Sequence, residues 1–229
     1  MTANVLPDAA SKAKAVETMF DRIAPRYDLL NRLMTFGLDV HWRRRAVREL
    51  QLPQRSRVVD LACGTGDFCT ELEHAGLRPV GIDFAAAMLA RAHLTAPVVR
   101  ADILQLPLRD GSLDGATCGF ALRNVSDIEA CFRETARVLR SGGRIAFLEV
   151  ATPRSALLRA AHGLYFNRVV PLVGGMLSDR SAYRYLPASA AYLPADVTLG
   201  RMLVGAGFTE VRRIPLGAGA VQLLTATRR

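Results

Sequence analysis

The apolar residues of the chain fall into short continuous runs and longer periodic stretches, and the two kinds of pattern take turns. A short run that ends at an acidic residue or a glycine turn is typical of a buried strand, whereas apolar residues three and four positions apart predict a helix. The runs that predict strands are 57–62, 79–83, 98–102, 116–120 and 144–150. The stretches between them that predict helices are 68–75, 85–93 and 128–139. This alternation predicts parallel βαβ units and a doubly wound α/β sheet.

A group of helices is expected ahead of the sheet, over residues 1–50. Residues 16–50 have helical spacing that is interrupted at Pro25 and Gly37, which predicts two or three short helices. Residues 1–14 are small and polar without a period, and they predict a frayed start.

The alternation of predicted strands and helices is interrupted once in the C-terminal part of the chain. Residues 154–195 have helical spacing and a cluster of tyrosines, which predicts a helical lobe inserted into a main domain that spans 51–229. After a predicted helix at 198–206, the segments 210–214 and 220–227 predict a closing pair of strands.

The chain is strongly basic, with 30 Lys and Arg against 21 Asp and Glu and a formal net charge of +9 in 229 residues. Such a balance favours an anionic partner, which can be nucleic acid, an anionic bilayer or an acidic small molecule. No basic run is long enough for a nucleic-acid tail, so we expect no nucleic-acid partner. A solvated, arginine-rich surface with no partner explains the charge equally well.

Cysteine usage and hydropathy indicate a cytoplasmic protein. Cys63, Cys69, Cys118 and Cys131 form no CxxC pair and no cluster with histidine, so we predict reduced thiols and no metal site. No signal peptide is apparent, and the apolar stretch 169–177 is far shorter than the roughly 20 residues that span a bilayer. We expect a soluble or peripheral protein.

The turn after the first predicted strand carries the most informative chemistry. Gly64 and Gly66 allow the backbone to approach a ligand closely, and Asp60 lies near the end of that strand. Asp83 ends the second strand about 20 residues on, where a carboxylate can accept hydrogen bonds from both hydroxyls of a ribose. A dinucleotide fingerprint would require glycine in place of Cys69, which leaves a nicotinamide dinucleotide as the second choice of cofactor.

This combination resembles the class I S-adenosylmethionine-dependent methyltransferases, which have a Rossmann-like sheet. The resemblance implies that Asp60, Gly64, Thr65 and Gly66 lie along the methionine part of S-adenosylmethionine and that Asp83 binds its ribose. It also implies that the adenine is bound by Met88, Asp102 and Ile103 and that Gly119 lines the pocket. N-terminal helices in this class commonly form a lid that excludes water. Asp102 alone is also explained as a helix cap.

Four further segments narrow the resemblance. They are 19–28 with Asn31, 119–125, 178–186 with Ser189 and Pro194, and 206–208. Together they are similar to the ubiquinone/menaquinone-biosynthesis C-methyltransferase family, from about residue 16 to the C-terminus. The resemblance implies methylation of a ring carbon of a lipophilic, prenylated quinol such as demethylmenaquinol or a related benzoquinol. The chain departs from the family pattern at Ala121, Ser141 and 220–223, which leaves open a secondary-metabolism methyltransferase that acts on a soluble phenol or enol. A cofactor-binding scaffold without activity is a third reading.

Candidate catalytic residues follow from this reaction. Removal of a phenolic proton makes the ring carbon nucleophilic, and an arginine near the ring oxygen stabilises the phenolate. Arg123 follows the fourth strand at the sheet edge and is the predicted stabiliser, with Asn124 and Tyr27 positioning the ring. Two structural alternatives remain open. Arg123 and Asn124 can cap the next helix and pair with Asp127, and Tyr27 with Asp28 can belong to a packing helix.

A prenylated substrate would reach the protein from a membrane, so a membrane surface is a candidate partner. Apolar residues between 157 and 173, interleaved with Arg154, Arg159 and Arg168, can contact a membrane surface at its inner face, or they can form the core of the lobe itself. Tyr183 and Tyr185 have the same two interpretations. A homodimer is compatible with the sequence, but no residue pattern indicates one.

Overall fold

A seven-stranded sheet forms the centre of the computed structural model, which describes residues 12–92, 94–165, 168 and 188–229. The strands lie in the order β3-β2-β1-β4-β5-β7-β6, and only the pairings of β7 with β5 and β6 are antiparallel. The strands are β1 Arg57–Leu61, β2 Arg78–Asp83, β3 Val98–Arg100, β4 Leu113–Gly119, β5 Leu139–Val150, β6 Phe208–Leu216 and β7 Val221–Arg228. The α-helices of the described residues are α1 Lys12–Ile23, α2 Tyr27–Thr35, α3 Leu38–Leu50, α4 Asp67–His74, α5 Ala86–Leu89, α6 Ile128–Val138, α7 Ala156–Leu164 and α8 Asp196–Gly205.

Both faces of the sheet are covered by helices, as the prediction of a doubly wound α/β sheet requires. Neighbouring strand residues point to opposite faces. Val59 packs with Phe132 of α6 and Leu199 of α8, whereas Val58 packs with Trp42 of α3 and Leu72 of α4. The α/β prediction is therefore confirmed, and the predicted closing strands are confirmed as the pair β6 and β7.

The N-terminal helices bend where the sequence predicted. Pro25 lies in the short 3-10 helix between α1 and α2, and Gly37, with φ 73°, separates α2 from α3. Their apolar side chains form a separate core with Met88, which includes Ile23 and Leu30. The prediction of a frayed start is wrong for residues 12–14, because α1 begins at Lys12 and that side chain is buried.

Two elements differ most from their predicted lengths. The helix predicted over 85–93 is only Ala86–Leu89, a single turn that leads away from β2. Strand β5 begins at Leu139 rather than Arg144, because Leu139 pairs with Leu113 ahead of a register shift in the ladder. The salt bridge from Arg140 to Asp114, at 2.7 Å, ties this early part of β5 to β4.

Half of the predicted lobe lies outside the described residues, including the segment 178–186 with Tyr183 and Tyr185. In the described part of the lobe, α7 has exposed residues in its first turns, and a 3-10 helix at Ala190–Tyr192 precedes α8. No helix among the described residues is long and apolar enough to cross a membrane.

Candidate active site

Asp83 holds together two turns at the carboxyl edge of the sheet. Its carboxylate accepts hydrogen bonds from the backbone N–H of Gly64, at 2.8 Å, and from that of Ala85, also at 2.8 Å. The first bond reaches the glycine turn after β1, and the second orders the start of α5. Burial raises the pKa of Asp83 above its usual value, although these backbone donors oppose the shift.

A cavity opens beside this turn, and six of the nine predicted cofactor residues line it. The turn after β1 contributes Gly64 to the wall, and the last residue of β2 contributes Asp83. Helix α1 covers the cavity with Val16 and Phe20. The other predicted cofactor residues in the wall are Met88, Asp102, Ile103 and Gly119. Two predicted catalytic residues, Asn124 and Tyr27, also line this cavity. Asp102 lines the cavity and accepts a hydrogen bond from the backbone N–H of Leu104, at 2.9 Å, within a turn that no helix follows, so the helix-cap alternative is wrong.

Three predicted cofactor residues are not among those that line the cavity. Asp60 is buried beneath the turn, where its carboxylate accepts hydrogen bonds from the Thr117 hydroxyl, at 2.8 Å, and the Cys69 thiol, at 3.7 Å. Burial raises the pKa of Asp60 to about 7. Asp60 therefore bonds to the scaffold behind the glycine turn in this structure.

The other two residues lie on the turn itself. The Thr65 hydroxyl donates to the Asp28 carboxylate of α2, at 2.6 Å. Gly66 has φ 94°, and a Cβ atom added there would lie 2.3 Å from a side-chain carbon of Leu94, so a larger residue would displace that leucine. Thr65 thus connects the glycine turn to the N-terminal helices.

Helix α1 is tied to the chain around this cavity through three of its side chains. Lys12 donates to the carbonyl oxygen of Val125, at 2.8 Å, and lies over the ring of Tyr192. Glu17 forms a 3.1 Å salt bridge with Arg100 of β3. Asp21 accepts a hydrogen bond from the backbone N–H of Ala87, at 3.0 Å. These ties hold α1 as a cover over the cavity.

A second, mostly apolar cavity of about 570 Å³ adjoins the first. The two share Phe20, Tyr27 and Phe120 in their walls. The rest of the wall comes from α2, α3, the residue after α7, and the chain from the end of β6 to the start of β7. Its large apolar residues include Met34, Phe36, Leu38, Trp42, Tyr165 and Val221.

Arg123 lines the second cavity and is 6% exposed. Its guanidinium donates to Glu149, at 2.5 Å, to the carbonyl oxygen of Phe120, at 2.6 Å, and to the Ser189 hydroxyl, at 3.2 Å. Glu149 also accepts from the backbone N–H of Arg123, at 3.2 Å. The predicted alternative of a pair with Asp127 is wrong, because Asp127 caps α6 and Glu149 is the ionic partner.

Sequence analysis missed Glu149, which is fully buried near the end of β5. The signal was present, since an acidic residue interrupts the apolar run 145–150 and a buried carboxylate needs a partner. Its two bonds to Arg123 fix both the backbone and the side chain of the turn that carries the arginine.

Tyr27 lies close enough to two buried arginines, Arg123 and Arg43, to be influenced by their charges. Burial raises the pKa of Tyr27, while a hydrogen bond with Asn31 and the charges of Arg123 and Arg43 partly offset the shift. The phenol therefore keeps its proton at neutral pH and is suited to donate a hydrogen bond.

Arg43 is the second residue that sequence analysis missed. It lines the second cavity and forms salt bridges with Asp39, at 2.6 Å, and with Asp67 at the start of α4, at 3.0 Å. His162 also lines this cavity. No group of residues that could hold a metal ion occurs in the described parts of the chain, and all four cysteines there are buried free thiols.

Comparisons with known proteins bear on this geometry. The model of the ubiE/COQ5 methyltransferase family matches residues 8–228. A demethylmenaquinone methyltransferase of Roseiflexus sp. is 45% identical over 239 residues, with 100% of both chains covered. The ubiquinone/menaquinone biosynthesis C-methyltransferase UbiE of Geotalea uraniireducens is 37% identical, with 91% of this chain and 94% of the relative covered. A solved SAM-dependent methyltransferase of Thermotoga maritima, 21% identical, shares the fold with a TM-score of 0.67 over 93% of this chain and 99% of its own.

Proposed function

The chain belongs to the ubiE/COQ5 methyltransferase family, and we propose that it transfers a methyl group from S-adenosylmethionine to a ring carbon of a prenylated quinol in quinone biosynthesis. The observation that carries the proposal is the junction of two cavities. One lies at the glycine turn of a class I methyltransferase sheet, and the other is apolar and contains a buried arginine.

The first cavity suits S-adenosylmethionine. Asp83 lines it with a carboxylate already fixed by two backbone donors, which fits the hydroxyls of a ribose. Met88 and Ile103 offer apolar contacts for an adenine, and Asp102 offers an acceptor for its amine. When bound, S-adenosylmethionine supplies an electrophilic methyl group on a sulfonium. Asp60 and Thr65 support the turn from behind and from the side rather than from the cavity wall.

The second cavity suits a quinol ring with the first part of its prenyl tail. Its walls are aromatic and aliphatic, whereas its polar groups gather at one end around Tyr27, Arg123 and Arg43. A ring oxygen directed to that end would meet a guanidinium and a protonated phenol. The tail would lie along Met34, Phe36 and Leu38.

Arg123 stabilises the phenolate that makes the ring carbon nucleophilic. The guanidinium carries a positive charge and presents several donors in one plane. Glu149 holds this group from the far side, so the arginine is oriented before the substrate binds. Tyr27 donates a hydrogen bond, and Asn124, in the wall of the first cavity, positions the ring near the shared wall.

The experiment that tests this proposal is turnover with labelled S-adenosylmethionine and two reduced short-tailed quinols, a demethylmenaquinol and a demethoxy-benzoquinol. Label in either ring supports the proposal and identifies the ring. Label in neither, together with cofactor binding by calorimetry, would favour the secondary-metabolism methyltransferase that acts on a soluble phenol or enol.

The variant Arg123→Lys tests the role of the arginine in the same assay. It keeps the charge but loses the planar set of donors, so we expect turnover to fall about 100-fold while cofactor affinity stays unchanged. The matched control is Arg137→Lys, since Arg137 also forms ion pairs, with Glu134 and Asp110 at a more exposed position, and lines neither of these two cavities. Equal turnover in Arg123→Lys and the wild type would remove Arg123 from the mechanism.

A further inference from the structure

An apolar stripe runs along the outer surface of α2. Leu29, Leu33 and Phe36 are spaced four and three residues apart and therefore lie on one side of the helix. They are 59%, 48% and 79% exposed, and Leu38 at the start of α3 is 47% exposed. Single exposed apolar residues are ordinary, but a row of large ones marks an interaction surface.

Helix α7 continues this stripe. The ring of Tyr165, just after α7, lies 6.0 Å from that of Phe36, and its hydroxyl donates to the carbonyl oxygen of Met34, at 2.7 Å. Leu157 and Leu164, seven residues apart on one side of α7, are 79% and 59% exposed. We call the exposed leucines 29, 33, 157 and 164 with Phe36 and Leu38 the docking face.

The docking face leads into the second cavity. Phe36 and Leu38 belong to the face and also line the cavity, as do Met34 and Tyr165 beside them. An apolar path therefore runs from the protein surface to the end of the cavity that holds Arg123. A long prenyl tail requires such a path, because its free end must remain in an apolar phase.

Phe36, at the end of α2, has an unusual backbone conformation. Phe36 has φ 53°, a left-handed conformation that bulky residues rarely adopt. Strain of this kind is retained where the surrounding structure requires it, and here it ends α2 with an aromatic ring at the mouth of the cavity.

The charges around the docking face are basic. Arg32 of α2 is exposed and lies 4.0 Å from the carboxylate of Asp67, and Arg154 and Arg159 are exposed beside Leu157. From Val150 to Tyr165 the chain contains two arginines and no aspartate or glutamate. The acidic residue of α2, Asp28, is bonded to Thr65 at the glycine turn. Apolar side chains flanked by arginines complement an anionic bilayer, whose headgroups attract the cations while its acyl chains take up the apolar residues.

We propose that the docking face binds an anionic lipid bilayer and places the mouth of the second cavity against the membrane, so that the prenyl tail enters from the acyl phase. The role of the cavity in this statement rests on the proposed function. Binding of the bilayer itself does not depend on it.

The test uses the full chain and vesicles made of phosphatidylcholine with an equal part of phosphatidylglycerol, compared with pure phosphatidylcholine. Co-sedimentation should show binding to the anionic vesicles that weakens as salt is raised. The combined variant Leu29→Ser, Leu33→Ser and Leu157→Ser removes apolar residues that do not line the second cavity. We expect its binding to fall about tenfold or more, because each leucine withdrawn from the bilayer loses a favourable transfer.

The matched control is Val197→Ser with Val204→Ser on α8, where both valines are exposed. This control should bind vesicles as the wild type does. In a turnover assay, the triple leucine variant should keep its activity on a short-tailed quinol in solution and lose activity on a long-tailed quinol in vesicles.

Two outcomes would overturn the proposal. The first is equal vesicle binding by the triple leucine variant and the wild type, or no binding by either. The second is a wild-type dimer that the leucine substitutions dissociate, which would make the face an interface between two copies of the chain. Binding to anionic vesicles that the leucine substitutions abolish, without turnover of any quinol, would instead refute the proposed function and leave the docking face intact.

Discussion

Arg123 and Glu149 form an ion pair that is almost entirely buried, with exposed side-chain fractions of 7% and 0%. A buried pair adds little to stability, because the cost of removing both charges from water offsets their attraction. Its value here is orientation. Glu149 binds both the guanidinium and the backbone N–H of Arg123, so it fixes the direction in which the arginine faces the cavity.

We predict that Glu149→Gln lowers kcat about tenfold and leaves the KM for S-adenosylmethionine unchanged. Glutamine keeps one acceptor oxygen but loses the charge and adds an amide donor that faces the arginine, so the guanidinium is less firmly held. Steady-state kinetics with both substrates measure the effect, and Glu149→Asp should recover part of kcat. Glu134→Gln, which weakens the pair with Arg137, is the control. An unchanged kcat would limit Glu149 to a structural role.

A second prediction concerns Asp60, whose pKa is raised by burial to about 7 from an ordinary value of 3.8. Between these two pH values the unfolded chain is deprotonated at Asp60 while the folded protein holds the proton. Stability therefore falls as the pH rises from about 4 to about 7. In Asp60→Asn this contribution to the pH dependence should disappear, and urea unfolding at several pH values measures it. The same slope in both proteins would contradict the raised pKa.

At the scale of elements, the N-terminal helices are joined to the cofactor turn by polar contacts as well as by packing. Asp28 of α2 binds Thr65 of the turn, and Arg43 of α3 binds Asp67 at the start of α4. These contacts connect the cover of the site with the loop beneath it. We therefore expect the position of the helices and the shape of the turn to change together.

Thr65→Val should accelerate the release of S-adenosylhomocysteine about three- to tenfold, because it removes one hydrogen bond, worth about 0.5–1.5 kcal/mol, and keeps the shape of the side chain. Stopped-flow measurement of dissociation tests the prediction. Thr70→Val is the control, because the Thr70 hydroxyl bonds to the carbonyl oxygen of Gly66, one turn earlier in the same segment. Equal effects of both substitutions would show that the contact with Asp28 has no special role.

Sequence patterns predicted the elements wherever the signal was local. The run that became β1 and the breaks at Pro25 and Gly37 are examples. The early start of β5 was missed because it depends on Leu139 pairing with Leu113, a contact between distant positions. The helix after β2 was predicted too long, since apolar spacing alone does not show where a helix ends.

The same distinction holds for the candidate site. Gly64, Asp83, Met88, Asp102, Ile103 and Gly119 all line the first cavity, and motif and resemblance pointed to them. The pair of Arg123 with Glu149 and the contribution of Arg43 were missed, because the chain brings these residues together only on folding. The second cavity could not be predicted for the same reason, since its walls come from both ends of the sequence.

At the scale of the whole molecule, the sheet and its cover should differ in stability. Strands β1 and β4 are buried and paired on both sides, whereas α1 contacts the rest of the protein through a small core and a few polar ties. Segments of that kind open at lower free energy than the sheet.

We predict that backbone amides of α1 exchange with deuterium faster than those of β1 and β4, and that S-adenosylhomocysteine slows exchange in α1. Hydrogen-exchange mass spectrometry measures both effects. Helix α8, which packs on the sheet away from the cavity, serves as the internal control and should be unaffected. Slow exchange of α1 in the free protein would show that cofactor exchange does not involve this helix.

Phe20, Tyr27 and Phe120 line both cavities, so a ligand in one cavity contacts residues that also line the other. We expect two ligands that share a wall to influence each other's binding, and thermodynamics requires this influence to be mutual. If a quinol tightens the hold on the cofactor by some factor, the cofactor tightens the hold on the quinol by the same factor. The same wall couples the methylated product to S-adenosylhomocysteine, so the departure of either one changes the affinity for the other by one and the same factor.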